Sequence, residues 1–159
     1  MRSLRDEFEG LVDRHGRWLL LFARGLSAAD PESLVQEAFV QLWLRMEAGV
    51  AIADAGAYLA TIVRNAATRA ASRDARWKQG EADWFDALES PAEAEWSAAD
   101  VQRMVASLPE DQREVIILKI WGDMTFEQIA AALGIPMNTA ASRYRYALSN
   151  LRQSEGASQ

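Results

Sequence analysis

Apolar residues recur along much of this chain at steps of three and four, the spacing that lays a single stripe down an α-helix. The first stripe, Phe8, Leu11, His15, Trp18, Leu19, Phe22 and Leu26, predicts a helix from about Leu4 to Leu26. Asp30-Pro31 predicts the next start, because the carboxylate can cap exposed amides and proline at the first helical position gives up no hydrogen bond. That second helix runs to about Met46. Leu34, Val35, Ala38, Phe39, Leu42 and Trp43 form its stripe, with Gln36, Glu37, Gln41 and Arg45 on other faces. The small residues Ala48 to Gly56 read as a loop.

A third helix, about Gly56 to Lys78, changes character along its length. Tyr58, Leu59, Ile62, Val63 and Ala66 pack inward, and then Arg64, Arg69, Arg73, Arg76 and Lys78 accumulate with only Asp74 against them. Cations at a helix carboxyl end also suit the macrodipole, so a structural reading competes for Arg76 and Lys78. Between Gln79 and Asp100 the composition shifts to Glu, Asp, Ala and Ser, with Pro91 breaking any long helix. This is a connector. Trp84, Phe85 and Trp96 are unusual in a plain solvated spacer and predict that it binds something.

From Val101 the pattern returns in short, strongly punctuated pieces. Pro109 opens a helix with Val115, Ile116, Leu118 and Ile120 as its apolar side, and Gly122-Asp123 closes it. Thr125-Phe-Glu-Gln128 is a capping box. Ile129, Ala130 and Leu133 line a short helix that stops at Gly134, and Asn138 or Thr139 begins a last helix running to about Gln153. A short helix, a glycine turn and a longer helix with a polar, basic outer side make a helix-turn-helix, whose second helix enters the major groove of DNA. Ala140, Tyr144, Ala147, Leu148 and Leu151 face inward. Asn138, Thr139, Ser142, Arg143, Arg145, Tyr146 and Arg152 are left outward, with no acidic residue among them. Arginine can pair with guanine or phosphate, and the amide and hydroxyl groups can read base edges or fix register.

Composition narrows the rest. The 159 residues contain no cysteine and one histidine, which leaves no disulfide framework and little for a metal cluster. His15 reads as a structural helix residue. No apolar run approaches the roughly 20 residues that span a bilayer, and Met1 to Glu9 has no signal-peptide core, so a cytoplasmic protein is expected. The net charge of -6 seems unsuited to nucleic acid. Position resolves this: residues 1–78 carry 11 basic and 10 acidic side chains, 79–100 carry 7 acidic and none basic, and 101–159 carry 6 of each. The whole deficit lies in the connector.

Four stretches in order resemble the small two-domain sigma factors of bacterial RNA polymerase, the extracytoplasmic-function (ECF) type of the sigma-70 family, over about residues 5–153. Leu34-Val-Gln-Glu-Ala-Phe-Val-Gln-Leu-Trp43 is similar to the family's polymerase-binding helix, and Tyr58-Leu-Ala-Thr-Ile-Val-Arg-Asn65 to its downstream-promoter helix. Leu108-Pro-Glu-Asp-Gln-Arg-Glu-Val115 and Thr125-Phe-Glu-Gln-Ile-Ala-Ala-Ala-Leu-Gly-Ile-Pro136 resemble the start and first helix of its upstream-promoter domain. The resemblance implies an all-α fold of two small helical domains, 1–78 and 101–153, joined by an acidic linker at 79–100, the second domain a helix-turn-helix and 154–159 a tail.

It also implies roles. Gln36, Glu37, Gln41, Trp43 and Arg45 would dock on the clamp coiled coil of the polymerase largest subunit, with the flap as a second contact. The loop Glu47 to Gly56 and a face with Arg64, Asn65, Thr68, Arg69, Arg73 and Arg76 would hold the melted minus-ten element. Asn138, Thr139, Ser142, Arg143 and Arg145 would read the minus-thirty-five element. The connector would follow the path of nascent RNA, and an anti-sigma protein would be the regulatory partner. Members often carry Gly-Thr-Val-Lys-Ser-Arg where this chain has Asn138-Thr-Ala-Ala-Ser-Arg143, so a lysine is missing at Ala141. Tyr146 replaces a common arginine, and Arg69 and Ser33 replace common aspartates; promoter preference therefore does not carry over. No cofactor, metal or catalytic group is expected. Two other readings stay open, a stand-alone helix-turn-helix regulator and a sigma-like decoy that binds polymerase without starting transcription.

Overall fold

Ser3 starts the first helix of this computed structural model, which describes residues 2–26, 28–73 and 103–157, leaving the side chains of 70–73 and 154–157 undescribed. The acidic connector with Trp84, Phe85 and Trp96, and the cations Arg76 and Lys78, lie outside the described residues. Helix α1 (Leu4–Gly25) is closed at its start by a reciprocal pair: the Asp6 amide donates to Ser3 Oγ at 3.1 Å, and the Ser3 amide donates to the Asp6 carboxylate at 3.4 Å. Asp30 caps α2 (Pro31–Glu47) as expected, accepting from the Ser33 amide at 3.1 Å. Helix α3 (Ala55–Arg73) is capped by Asp54, which accepts from the Ala57 amide at 3.0 Å and which the sequence reading had left inside the loop. These three helices bury Trp18, Leu19, Phe22, Val35, Ala38, Leu42, Leu59 and Val63 against one another.

A helical turn at 103–106 precedes α4 (Glu110–Ile120), α5 (Phe126–Leu133) and α6 (Met137–Ala157). The capping box forms as the spacing predicts, Gln128 amide to Thr125 Oγ1 at 3.1 Å and Thr125 amide to Gln128 Oε1 at 2.8 Å. Gly134 ends α5 at φ 66°, a left-handed position that a side chain disfavours, and the chain turns there into α6. Helix α6 starts one residue ahead of Asn138 and continues through Ala157, so the stretch read as a tail from 154 is helical to that point. Met137–Ala157 is tied to α4 by Asn150, whose amide donates to Gln112 Oε1 at 2.7 Å.

Helix α4 departs from the one-stripe pattern. Ile120 is half exposed, whereas Ile117, absent from the expected stripe, is fully buried along with Val115, Ile116 and Leu118. Arg113 and Glu114 are buried too. The reason is position: α4 packs on α5 and α6 of its own unit and on α1 of the first, so its middle, residues 113–118, is covered all round. Arg113 Nη1 donates to the Gly25 carbonyl at 3.1 Å, and its Nη2 to the Leu108 carbonyl at 3.0 Å. Gly25 permits this approach, since a Cβ there would lie 2.9 Å from Ile117 Cδ1. On the other side α5 rests on α3, where Gln128 Nε2 donates to the Asp54 carboxylate. The fold is all-α, with a helix-turn-helix in its second half, and the described residues of both halves share one hydrophobic cluster. No helix among the described residues is long and apolar enough to cross a membrane.

Candidate nucleic-acid interface

The outward side of the helix-turn-helix is set by what α6 must bury. Ala140 and Ala147 are fully buried, and Tyr144 meets the Phe126 ring edge-on at 5.5 Å, which fixes the inner face against α5. Lys119 lies over the Phe126 ring, 4.7 Å from its centroid, and donates to the Met124 carbonyl at 3.2 Å. Of the residues expected to face outward, Asn138, Arg145, Tyr146 and Arg152 are exposed, while Thr139, Ser142 and Arg143 are half-buried. Arg145 Nη2 donates to Ser142 Oγ at 3.2 Å. Arg143 turns toward α4, its Nε 3.7 Å from Asp111 Oδ2.

Helix α3 presents a narrower polar face, because α1, α2 and α5 all pack on it. Asn65, Thr68 and Arg69 are exposed, and the Thr68 hydroxyl turns back to donate to the Arg64 carbonyl at 2.9 Å. Arg64 is half-buried. The Arg73 side chain and all of Arg76 lie outside the described side chains. Beside the start of α3, residues 49–56 border a cavity of about 570 Å³ that is also lined by Leu11, Arg14, His15 and Met46. His15 accepts the Trp18 indole N–H on Nδ1 at 3.0 Å, which requires a ring nitrogen with a free lone pair. Burial and then Arg14 hold its pKa below the ordinary value, against Asp54.

Between the two basic faces lies Glu114. Burial raises its carboxyl to about 7, opposed by Arg64 and, more weakly, by Arg143, while Glu110 and Asp111 add to the rise. One arginine from each face therefore acts on the same buried acid. Sequence reasoning had no signal for this, since Arg64 and Glu114 stand 50 positions apart in the chain.

On α2, Gln36, Glu37 and Arg45 are exposed and Gln41 is half-buried, its amide 3.5 Å from Glu37 Oε1. Arg45 stacks 5.6 Å above the Tyr58 ring, and Trp43 packs edge-on to Phe8 at 5.1 Å, so both also hold the helices together. The same helix exposes Val40 and Leu44, each 56 % accessible, one turn apart. Their signal was legible: two large apolar residues at an i, i+4 step off the buried stripe. No cluster of metal-ligating side chains occurs among the described residues.

Comparison with known proteins bears on both faces. Residues 11–77 match the family model described as Sigma-70 region 2, and residues 98–151 match Sigma-70, region 4. The chain is 32 % identical over 151 residues to the ECF RNA polymerase sigma factor SigL of Mycobacterium tuberculosis, covering 89 % of this chain and 85 % of that one. It is 31 % identical over 159 residues to the RNA polymerase sigma-E factor of Streptomyces avermitilis, covering 92 % and 84 %. Among solved structures, the sigma factor RpoE in complex with the anti-sigma factor NepR, from Bartonella quintana, aligns with a TM-score of 0.69. That alignment has 25 % identity and covers 92 % of this chain and 95 % of that one. CnrH, in complex with the cytosolic domain of CnrY, shares the fold at a TM-score of 0.60 and 24 % identity, covering 99 % and 92 %.

Proposed function

The chain belongs to the sigma-70 family of RNA polymerase sigma factors, in its ECF group, and from that premise we propose how its surfaces divide the work. It binds core RNA polymerase and promoter DNA and directs transcription initiation. The observation that carries this is the pair of family matches, region 2 ahead of region 4 in one chain. The same matches support a division into domains at 1–78 and 101–153 with the acidic connector between. A regulator binding DNA alone, or a polymerase-binding decoy, accounts for less of the chain.

In this reading α2 docks on the clamp coiled coil through Gln36, Glu37 and Gln41, with Val40 and Leu44 as the apolar contact between them. Trp43 and Arg45 brace that surface from behind through Phe8 and Tyr58. Asn65, Thr68, Arg69 and the end of α3 at Arg73, with Arg76 beyond it in the chain, follow the minus-ten backbone. The cavity beside 49–56 suits an unstacked base, whose removal from the duplex costs a few kcal/mol that the pocket must offset. Helix α6 faces the minus-thirty-five element with Asn138, Thr139, Ser142 and Arg145, and with Arg143 at the edge.

The two elements lie about 25 base pairs apart, roughly 85 Å along B-form DNA at 3.4 Å per pair. A chain whose halves touch at Arg113 and Gly25 cannot reach both. The halves separate when polymerase holds them at the promoter spacing, and joining two modest DNA contacts by a linker then gives selectivity. No catalytic group is asked of this chain, and the site of action is the cytoplasm. An anti-sigma protein is the expected regulator, since the Bartonella relative is seen in complex with the anti-sigma factor NepR.

Co-elution of the purified chain with sigma-free core polymerase, followed by transcription from pooled genomic fragments, tests the reading. Promoter-selective transcripts are expected. Tight duplex binding without affinity for core would instead establish a stand-alone regulator, and core binding without transcripts a decoy.

A further inference from the structure

Two arginines on α6 are candidates for reading a base, and helical geometry does not let both do so. Each residue advances a helix by about 100°, so side chains two apart point roughly 160° away from one another. The fully buried Ala140 and Ala147 mark the inward direction. Arg145 lies opposite them, in the third turn of the helix, on the side that also carries exposed Asn138 and half-buried Ser142 and that a recognition helix turns to base edges. Arg143 lies on the flank. Its side chain is only 29 % exposed and its Nε is 3.7 Å from Asp111 on α4, within the same half of the chain, so the pairing survives any separation of the halves.

Ser142 adds a second constraint. Its Oγ accepts from Arg145 Nη2 at 3.2 Å, which restrains a long flexible side chain on the outer face and leaves the remaining N–H donors of the guanidinium available. A guanidinium held in this way matches the O6 and N7 acceptors that guanine shows in the major groove. Ala141, beside it, offers no charge that would compete.

We propose that Arg145, oriented by Ser142, reads a guanine in the upstream promoter element, and that Arg143 contacts no base and serves the packing of α6 on α4. The inference rests on α6 being the upstream reader. Arg145 is the specificity-determining residue and Ser142 a positioning residue. Arg145→Lys keeps the charge but loses the planar fork, so it retains phosphate attraction and discriminates more weakly.

The test uses holoenzyme assembled from core polymerase and the full chain, on a promoter selected by that holoenzyme, with each upstream guanine replaced in turn by 7-deazaguanine. At one position the parent should lose about tenfold in binding, as expected for half of a bidentate pair. Arg145→Ala should bind more weakly at the start and be indifferent to the replacement, and Arg145→Lys should show a reduced response. Ser142→Ala should show a reduced but nonzero response at the same position, restored by Ser142→Thr. Arg143→Ala should keep the full response. Loss of the response in Arg143→Ala with retention in Arg145→Ala overturns the assignment, as does a parent indifferent to every replacement. Failure of the parent holoenzyme to select any promoter is a different result, and it overturns the sigma reading beneath.

Discussion

Helices α4 and α6 stand side by side in the second half of the chain, and their sequences had suggested the same design, one apolar stripe with a polar back. They turn out to be opposites. In α4 four consecutive apolar residues and the charged pair Arg113 and Glu114 are all buried, while α6 buries two alanines completely and leaves an acid-free polar face in solvent. What separates them is α1, which packs on the back of α4. The lesson is that a helix carrying charge can lie in the centre of a structure when backbone carbonyls receive that charge. Arg113 finds such carbonyls at Gly25 and Leu108.

The comparison can be broken most sharply at Ile117. If the middle of α4 is covered all round, Ile117→Ala should cost about 2–5 kcal/mol, against about 0.5 kcal/mol or less for Ile120→Ala three residues on. Equal small losses in urea denaturation would mean that α4 has an open back. Arg113→Ala comes next, at about 3 kcal/mol, because it removes a charged donor and leaves buried carbonyls without it. The same substitution on the exposed helix, Arg145→Ala, should leave stability unchanged.

Glu114 gives the comparison a pH dependence. Its carboxyl sits at about 7 against an ordinary 4.5, so the folded chain holds a proton that the unfolded chain releases. This contribution to stability is greatest at acid pH, falls as pH rises from about 4.5 to about 7, and is flat above. Glu114→Gln keeps the uncharged shape and should exceed the parent by about 2–3 kcal/mol at pH 8, the gap closing toward pH 4.5. Denaturation at a series of pH values reads this directly, and parallel curves would show that the acid is solvated. The smallest effect belongs to the link between the helices: Arg143→Ala, which loses the pair with Asp111, should cost about 0.5 kcal/mol.

Much of this molecule was legible along the chain because its signals are local. Asp30-Pro31, the Thr125 to Gln128 box and Gly134 each act within a single turn, and the helices begin and end within a residue or two of them. The basic face of α6 was legible for the same reason, since a period of 3.6 sorts a helix into sides without knowledge of its neighbours. The missed features all involve partners distant in the chain. Ile117 was left out of the core because α1, some 90 positions earlier, supplies its cover. Glu114 carried no sign of burial along the chain until folding set it near Arg64 and Arg143, and Arg143, expected to face outward, is half-buried beside Asp111 on α4. The sequence by itself determined the helices, their caps and the order of the two sigma regions, because hydrogen bonding within a turn and side-chain periodicity are short-range. Only the tertiary structure decided which charged residues face solvent and which face one another, because burial and Coulombic pairing depend on distance in space.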